Sequence, residues 1–184
     1  MLQYALSTID STQIELAYNS MIDARSFILM GNGGSAAMAD HFVCDITKGI
    51  GVDSNGRVLR QAFSLSANGP LISAIANDIG YEYVFSEQIK YMNPADNCLV
   101  IAISSSGNSP NIVNGLKKAK EMGLKTMALV GFDGGKVKSE DLAKCCIHVK
   151  MDNYGIVEDS HHVIMHSLSQ QVRKSLTPNT KLKL

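Results

Sequence analysis

The chain has 184 residues, enough for one domain with a sizeable buried core; 45% of them are hydrophobic and 18% charged. Lys plus Arg and Asp plus Glu balance at 17 each, so no excess of charge argues for nucleic acid or an anionic membrane as partner. No apolar run approaches the ~18 residues of a membrane span, and the N-terminus lacks the basic-then-apolar pattern of a secretory leader, so a cytoplasmic location is expected.

An amphipathic pattern over residues 2–23 (Leu6, Ile9, Ile14, Leu16, Met21, Ile22) predicts an N-terminal helical segment of one or two helices. The apolar run 26–30 reads as a strand, followed by Gly31-Asn32-Gly33-Gly34-Ser35 and a helix over about 35–48 that Gly49 and Gly51 stop. A polar connection at 53–56 leads into a second strand, 58–65, then into helices near 70–77 and 81–92. The third strand, 98–103, runs into Ser104-Ser105-Ser106-Gly107-Asn108-Ser109, and Pro110 suits the first turn of a helix ending at Gly123. A strand at 126–130, the turn Gly131-Phe132-Asp133-Gly134-Gly135, a short helix and a strand at 145–149 follow. The last helix starts within 156–160 and runs to Ser175, before Pro178; Lys181-Leu182-Lys183-Leu184 reads as a frayed tail.

Strands that are continuously apolar and separated by helices are the sequence form of a parallel sheet covered on both faces. The expectation is an α/β fold: a single doubly wound domain over 1–184, with a five-stranded parallel sheet flanked by helices. Cys44, Cys98, Cys145 and Cys146 contain no C-x-x-C pair and are expected as reduced thiols, Cys98 and Cys145 as small core residues.

Both loops, 31–35 and 104–109, follow a strand and precede a helix. Backbone N–H groups, hydroxyls and the positive end of a helix dipole make such turns ready anion sites. Two of them at one end of one sheet suggest a phosphorylated ligand between them. Gly31-x-Gly33-x-x-Ala36 also matches a dinucleotide fingerprint, but the second strand ends Leu65-Ser66-Ala67-Asn68, without the acid that would bind a ribose. No G-x-x-x-x-G-K-[ST] is present, which argues against an NTPase. Ser104, Ser105, Ser106 and Ser109, with Asn108, form a neutral hydroxyl-and-amide cradle that can hold a phosphate monoester.

Histidines supply a second constellation. His41 and Asp45 are four apart and share a helix face, as do His162 and His166 in a segment that also carries Glu158, Asp159 and His161. Such a set suits either a zinc ion or an acid–base pair. Glu158 and His166 would stand about 12 Å apart along a continuous helix, so they serve one centre only if Glu158 precedes the regular helix or neighbouring subunits contribute. Taken singly, His161 and His162 read as solvated or hydrogen-bonded helix residues, and His148 as structural.

With these motifs in view, the chain resembles the sugar isomerase (SIS) domain family, and within it the phosphoheptose isomerase branch. The resemblance rests on G-N-G-G-S at 31–35, A-D-H-F at 39–42, A-N-D at 76–78, I-S-S-S-G-N-S at 103–109, G-x-D-G-G at 131–135 and E-D-x-x-H-x-x-x-H at 158–166. It implies aldose–ketose isomerisation of sedoheptulose 7-phosphate through an enediol(ate), in a homotetramer with active sites between subunits. It also implies a Zn2+ ion on positions matching His41, Asp45, Glu158 and His166, where Asp45 replaces a usual Glu and Glu158 a usual Gln. On this reading Asp45 is the base with Glu158 in reserve, and His166 is the acid. Ser104, Ser105, Ser106 and Ser109 hold phosphate, while Asn32, Gly33, Ser35 and Asp78 line the sugar. A rival from another class is a non-catalytic tetrameric SIS adaptor that binds a replication initiator; the retained His41, His166 and carboxylates at 45 and 158 argue against the vacated pocket it would have. A sugar-phosphate-sensing domain would bring an attached DNA-binding or CBS module, which is not seen.

Overall fold

The computed structural model describes residues 1–51 and 59–176. The polar connection at 53–56, Val58 and the 181–184 tail lie outside the described residues. Five parallel strands form one sheet: β1 (Ser26–Gly31), β2 (Gln61–Ser64), β3 (Cys98–Ser104), β4 (Lys125–Val130) and β5 (Cys145–His148), in the order β2-β1-β3-β4-β5. Every residue of β3 is buried, and all but the first of β1 and of β4, as the continuous apolar runs require. Around the sheet lie α1 (Leu2–Ser7), α2 (Ser11–Asp23), α3 (Gly34–Cys44), α4 (Gly69–Asp78), α5 (Val84–Met92), α6 (Pro110–Glu121), α7 (Gly135–Ser139) and α8 (Tyr154–Leu176).

Alternate side chains of β1 enter two separate cores. Phe27 and Leu29 join Met21 of α2, Phe42 of α3 and Met165 and Leu168 of α8, whereas Ile28 and Met30 join Phe85 and Ile89 of α5 and Ile112 and Leu116 of α6. Each such side chain, fully buried, contributes roughly 1.5–3 kcal/mol of transfer free energy. The start of α2 and the residue after α1 cover the open edge of β5 and the segment that follows it: Cys146 N donates to Gln13 Oε1 at 2.9 Å and Lys150 N donates to Thr8 Oγ1 at 3.0 Å. All four cysteines are free; Cys98 and Cys145 are buried, and burial pushes the Cys145 thiol up to about 12. Among the described residues no helix is long and apolar enough to cross a membrane.

The chain passes from β1 to β2 on one side and then to β3 on the other. That reversal opens a crevice between the carboxyl ends of β1 and β3, where ligands of such sheets bind. Gly31 pairs with Ile103, so the two anion-site loops leave the sheet side by side. Three helical elements differ from the sequence expectation. The helix expected to Lys48 is α-helical only to Cys44 and continues as a π-helical turn, Asp45–Ile50. The expected 81–92 helix divides into a 3-10 turn, Tyr81–Tyr83, and α5. The last helix begins at Tyr154, before 156–160, so Glu158 stands inside it.

Candidate active site

A cavity of about 140 Å³ occupies the switch crevice, lined by Asn32, Ser35, Ile103, Ser104, Ser105, Ser106, Ser109, Tyr154 and Glu158. Neither α3, which starts after Gly33, nor α6, which starts after Ser109, is capped by the side chain of the residue before it, and both helix N-termini open onto this space; within α6, Ile112 N donates to Asn111 Oδ1 at 3.0 Å. Ser105 Oγ is buried and makes no hydrogen bond. A hydroxyl withheld from water and from protein partners costs stability unless a ligand completes it.

The walls of the cleft are braced by short polar contacts. Asn32 Nδ2 donates to Asn111 Oδ1 and Asn111 Nδ2 donates to Asn32 Oδ1, both at 2.9 Å, tying the first loop to the start of α6. The Tyr81 hydroxyl donates to Asn32 Oδ1 at 3.1 Å. The 131–135 turn and the first residues of α7 support the serine loop through their backbone: Gly131 N donates to Ser105 O at 2.8 Å, Val137 N to Gly107 O at 3.0 Å, and Lys136 N to Asn108 Oδ1 at 2.9 Å. Gly107 has φ +62°, and a Cβ there would lie 2.1 Å from Gly134 O, so the two loops meet backbone to backbone.

Glu158 enters the cleft from α8, and a Cβ on Gly34 would lie 2.8 Å from its carboxylate oxygens. The second glycine of Gly33-Gly34 thus admits a carboxylate to the N-terminus of α3, where the helix dipole favours it. Gly33 borders a neighbouring cavity of about 110 Å³ with Asn32, Ser66 and Tyr81. Asp78 lines neither space; it is exposed at the end of α4, accepting from Asn77 Nδ2 at 2.8 Å. Sequence reasoning missed Tyr154, whose ring lies against Phe132 at 4.7 Å, and Asn111. No motif marks Tyr154; Asn111 follows Pro110, and its place behind the serine loop was the available signal.

Farther along the seam between α3 and α8, the histidines converge. His41 Nε2 and His166 Nε2 are 3.0 Å apart, and the Asp45 carboxylate lies 3.8 Å from the first and 3.5 Å from the second. Asp45 is the first residue of the π-helical turn, a local irregularity that often marks functional positions. The three side chains each offer one ligand atom within 4.8 Å of the others, and Asp45 Oδ2 is buried without a hydrogen bond. An orphaned carboxylate oxygen beside two imidazole nitrogens fits a divalent cation. His162 completes the cluster of rings, and burial followed by the nearby His41 and His166 pulls its pKa down. His161, one position away, points into the protein interior and is fully buried. Ser35 precedes His41 by six residues of α3 and Glu158 precedes His166 by eight of α8. The cleft and the histidines are therefore about 9–12 Å apart along a shared seam.

A doubly wound sheet with two open helix N-termini at its switch point, and an acid–histidine cluster on the flanking helices, defines an α/β protein built to hold a small anionic ligand. The chain belongs to the SIS domain family, whose model matches residues 7–131. It is 34% identical over 161 residues to the phosphoheptose isomerase of Helicobacter pylori strain Shi470, covering 88% of this chain and 81% of that one. It is 35% identical over 170 residues to the phosphoheptose isomerase of Citrifermentans bemidjiense, covering 90% and 85%. The structure of phosphoheptose isomerase from Neisseria gonorrhoeae superposes with a TM-score of 0.80 at 28% identity, over 93% of this chain and 90% of that one.

Proposed function

We propose that the chain is an aldose–ketose isomerase that interconverts sedoheptulose 7-phosphate and D-glycero-D-manno-heptose 7-phosphate, supplying a heptose or glycan precursor. The observation that carries this reading is the shared seam: a serine cradle at one end and His41, Asp45 and His166 about 9–12 Å away. That separation suits a sugar whose phosphate is anchored while its far carbons meet acid and base. The names of the relatives agree with it.

In this reading Ser104, Ser105, Ser106 and Ser109 hold the phosphate, and Asn32, Gly33 and Ser35 line the sugar. Asp78, exposed outside this chain's cleft, would line the sugar only in a site shared with a neighbouring subunit. Asp45 removes the proton from the carbon beside the carbonyl and returns it to the neighbouring carbon, with Glu158 as the reserve carboxylate. His166 gives a proton to the carbonyl oxygen and accepts one from the adjacent hydroxyl, so the enediol(ate) is reached without a free charge on oxygen. Phosphate binding remote from the reacting carbons supplies orientation, the use of binding energy that raises kcat. With a divalent cation present, zinc in this proposal, His41, Asp45 and His166 would hold it, the ion would polarise the substrate carbonyl in place of proton donation by His166, and the reserve carboxylate Glu158 would act as base. The active form is a homotetramer with sites between subunits, and the whole chain is one SIS unit with a helical N-terminal segment. The adaptor alternative requires an emptied pocket, and here the acid–histidine groups are present.

The test is proton exchange and product formation from heptulose, pentulose and hexulose phosphates in deuterated water, with and without zinc. Sedoheptulose 7-phosphate should turn over, and Asp45→Asn and His166→Ala should each lower kcat at least about 100-fold with unchanged circular dichroism. Turnover of none of these sugars would end the isomerase reading; unchanged rates in both variants would end the role assignment.

A further inference from the structure

We infer that the edge of the sheet at β5 carries a second small-molecule site, separate from the serine cleft, in which Lys138, Lys144 and Lys150 hold the phosphate of a phosphorylated sugar. The inference goes beyond the proposed reaction and does not depend on it.

A cavity of about 290 Å³ lies between the start of α2, α7 and β5, and the three lysines line it with their side chains exposed. Among the described residues, the lysines paired with carboxylates are Lys90, Lys117, Lys118 and Lys125, and none of these three. Two acids share the cavity. Asp10 is committed to the N-cap of α2, where its Oδ1 accepts from Thr12 N at 2.9 Å and from Thr12 Oγ1 at 2.7 Å. Asp141 stands exposed. The lysine charges therefore lack a full set of counter-charges within the chain.

One of these cations is fixed in place by a histidine. Lys138 Nζ lies 3.0 Å from His148 Nδ1, and His148 Nε2 donates to Phe132 O at 2.9 Å. With its proton on Nε2, the imidazole is neutral and its Nδ1 accepts from the ammonium. Burial holds the His148 pKa down, opposed by the Phe132 bond and reinforced by Lys138 and Lys150, so the charge stays on lysine. An ammonium held this way keeps two N–H groups for a ligand and loses little freedom on binding.

A phosphate monoester brings a charge of about −1.5 to −2, which suits this group of lysines. The cavity is near the lower end of the ~300–1,000 Å³ typical of small-molecule sites, and zero net charge on the chain argues against a polyanion. The other polar groups suit hydroxyls: the Asp141 carboxylate accepts, and Gln13, whose Oε1 is taken by Cys146 N, keeps its amide N–H groups to donate. α7 is a wall common to both sites. Its Lys136 and Val137 N–H groups hold the serine loop, while Lys138 lines the second cavity.

The experiment is calorimetric titration of the full-length protein with glucose 6-phosphate at low salt. The double variant Lys144→Glu, Lys150→Glu should lose one equivalent of binding per chain, or bind it at least about tenfold more weakly, whatever the serine cradle takes up. Ser106→Asp, which sets a carboxylate in that cradle, should retain the equivalent, and the two lysine changes added to it should abolish binding. Glucose without phosphate should not bind, and inorganic phosphate should bind at least about tenfold more weakly than the sugar ester. Thermal melts check that each variant is folded. Lysine reversal that leaves stoichiometry and affinity unchanged overturns the inference, and inorganic phosphate binding as tightly as the ester overturns the sugar as ligand. No arm reads turnover, so a chain that isomerises none of the sugars tested would sink the functional reading and leave this site standing.

Discussion

Adjacent residues can meet opposite fates, and His161 and His162 are the case in point. In sequence they read alike, as ordinary helix histidines, because a residue's facing cannot be told from its neighbour when the helix start is uncertain by several positions. With α8 beginning at Tyr154, the 100° step between them turns His162 toward α3 and His161 into the interior. Neither ring nitrogen of His161 makes a hydrogen bond of ordinary geometry; the Val130 backbone only partly offsets its burial, which pulls the pKa down to about 4. The sign of the pH effect follows. Above pH 6.5 the ring is neutral in folded and unfolded chains alike, and no penalty arises. Between pH 6.5 and about 4 the unfolded chain binds a proton that the folded chain refuses, so stability falls as pH falls through this window and levels off below it. The full loss is about 3 kcal/mol. Urea unfolding of the metal-free protein at pH 7 and pH 4.5 should show His161→Phe losing about 2–3 kcal/mol less than wild type across that interval. Equal losses would mean that His161 is not held neutral by the fold.

At the scale of elements, the serine loop and the 131–135 turn behave as one unit, because their backbones touch. Gly107→Ala must place a Cβ 2.1 Å from Gly134 O while holding φ at +62°. Backbone strain of about 1–2 kcal/mol and an overpacking cost of about 1–3 kcal/mol both apply, so a loss near 3 kcal/mol is expected. Gly123→Ala has a similar φ, +73°, but open space around it, and should lose only the strain. Chemical denaturation separates the two, and KM for the sugar phosphate should rise for Gly107→Ala alone, since only that loop carries the cradle. If both variants lose the same stability, the contact between the loops is not what fixes them. The motif 131–135 was visible in the sequence, but its purpose was not, because backbone-to-backbone contact leaves no side-chain pattern. The buried strands were legible to within a residue, at 26–30, 98–103 and 126–130, since a sheet covered on both faces admits only apolar runs. Among the described residues the edge strand β2 is shorter than read, Gln61–Ser64 without 59, 60 and 65, because it pairs with a single neighbour, β1. The passage from α-helix to π-helical turn at Asp45 was hidden for a related reason: apolar spacing does not distinguish one helical hydrogen-bond pattern from the other over a single turn.

For the whole molecule the question is what covers its apolar surface. Phe63 on the edge strand β2 is 46% exposed and Tyr91 at the end of α5 is 56% exposed, and both line a groove of about 590 Å³ with Leu65, Leu71 and Met92. Tyr81, 55% exposed, is a further exposed aromatic, and its hydroxyl donates to Asn32 Oδ1 at the cleft. A chain with zero formal net charge has little electrostatic repulsion to keep such surfaces apart. Self-association through this region would explain both the exposed aromatics and a reaction cleft whose histidines stand open to solvent in a single chain. If the proposed homotetramer forms through this region, light scattering should give four times the chain mass. The double variant Phe63→Lys, Tyr91→Lys should fall to a smaller assembly with its helical circular dichroism retained. Because neither residue lines the serine cleft, a site complete within one chain would keep its kcat in the smaller assembly, whereas a site shared between subunits would lose turnover in parallel with mass. We expect the parallel loss, recovered in part at high protein concentration, where mass action restores contact between subunits. A fully active monomeric variant would place the complete active site within a single chain.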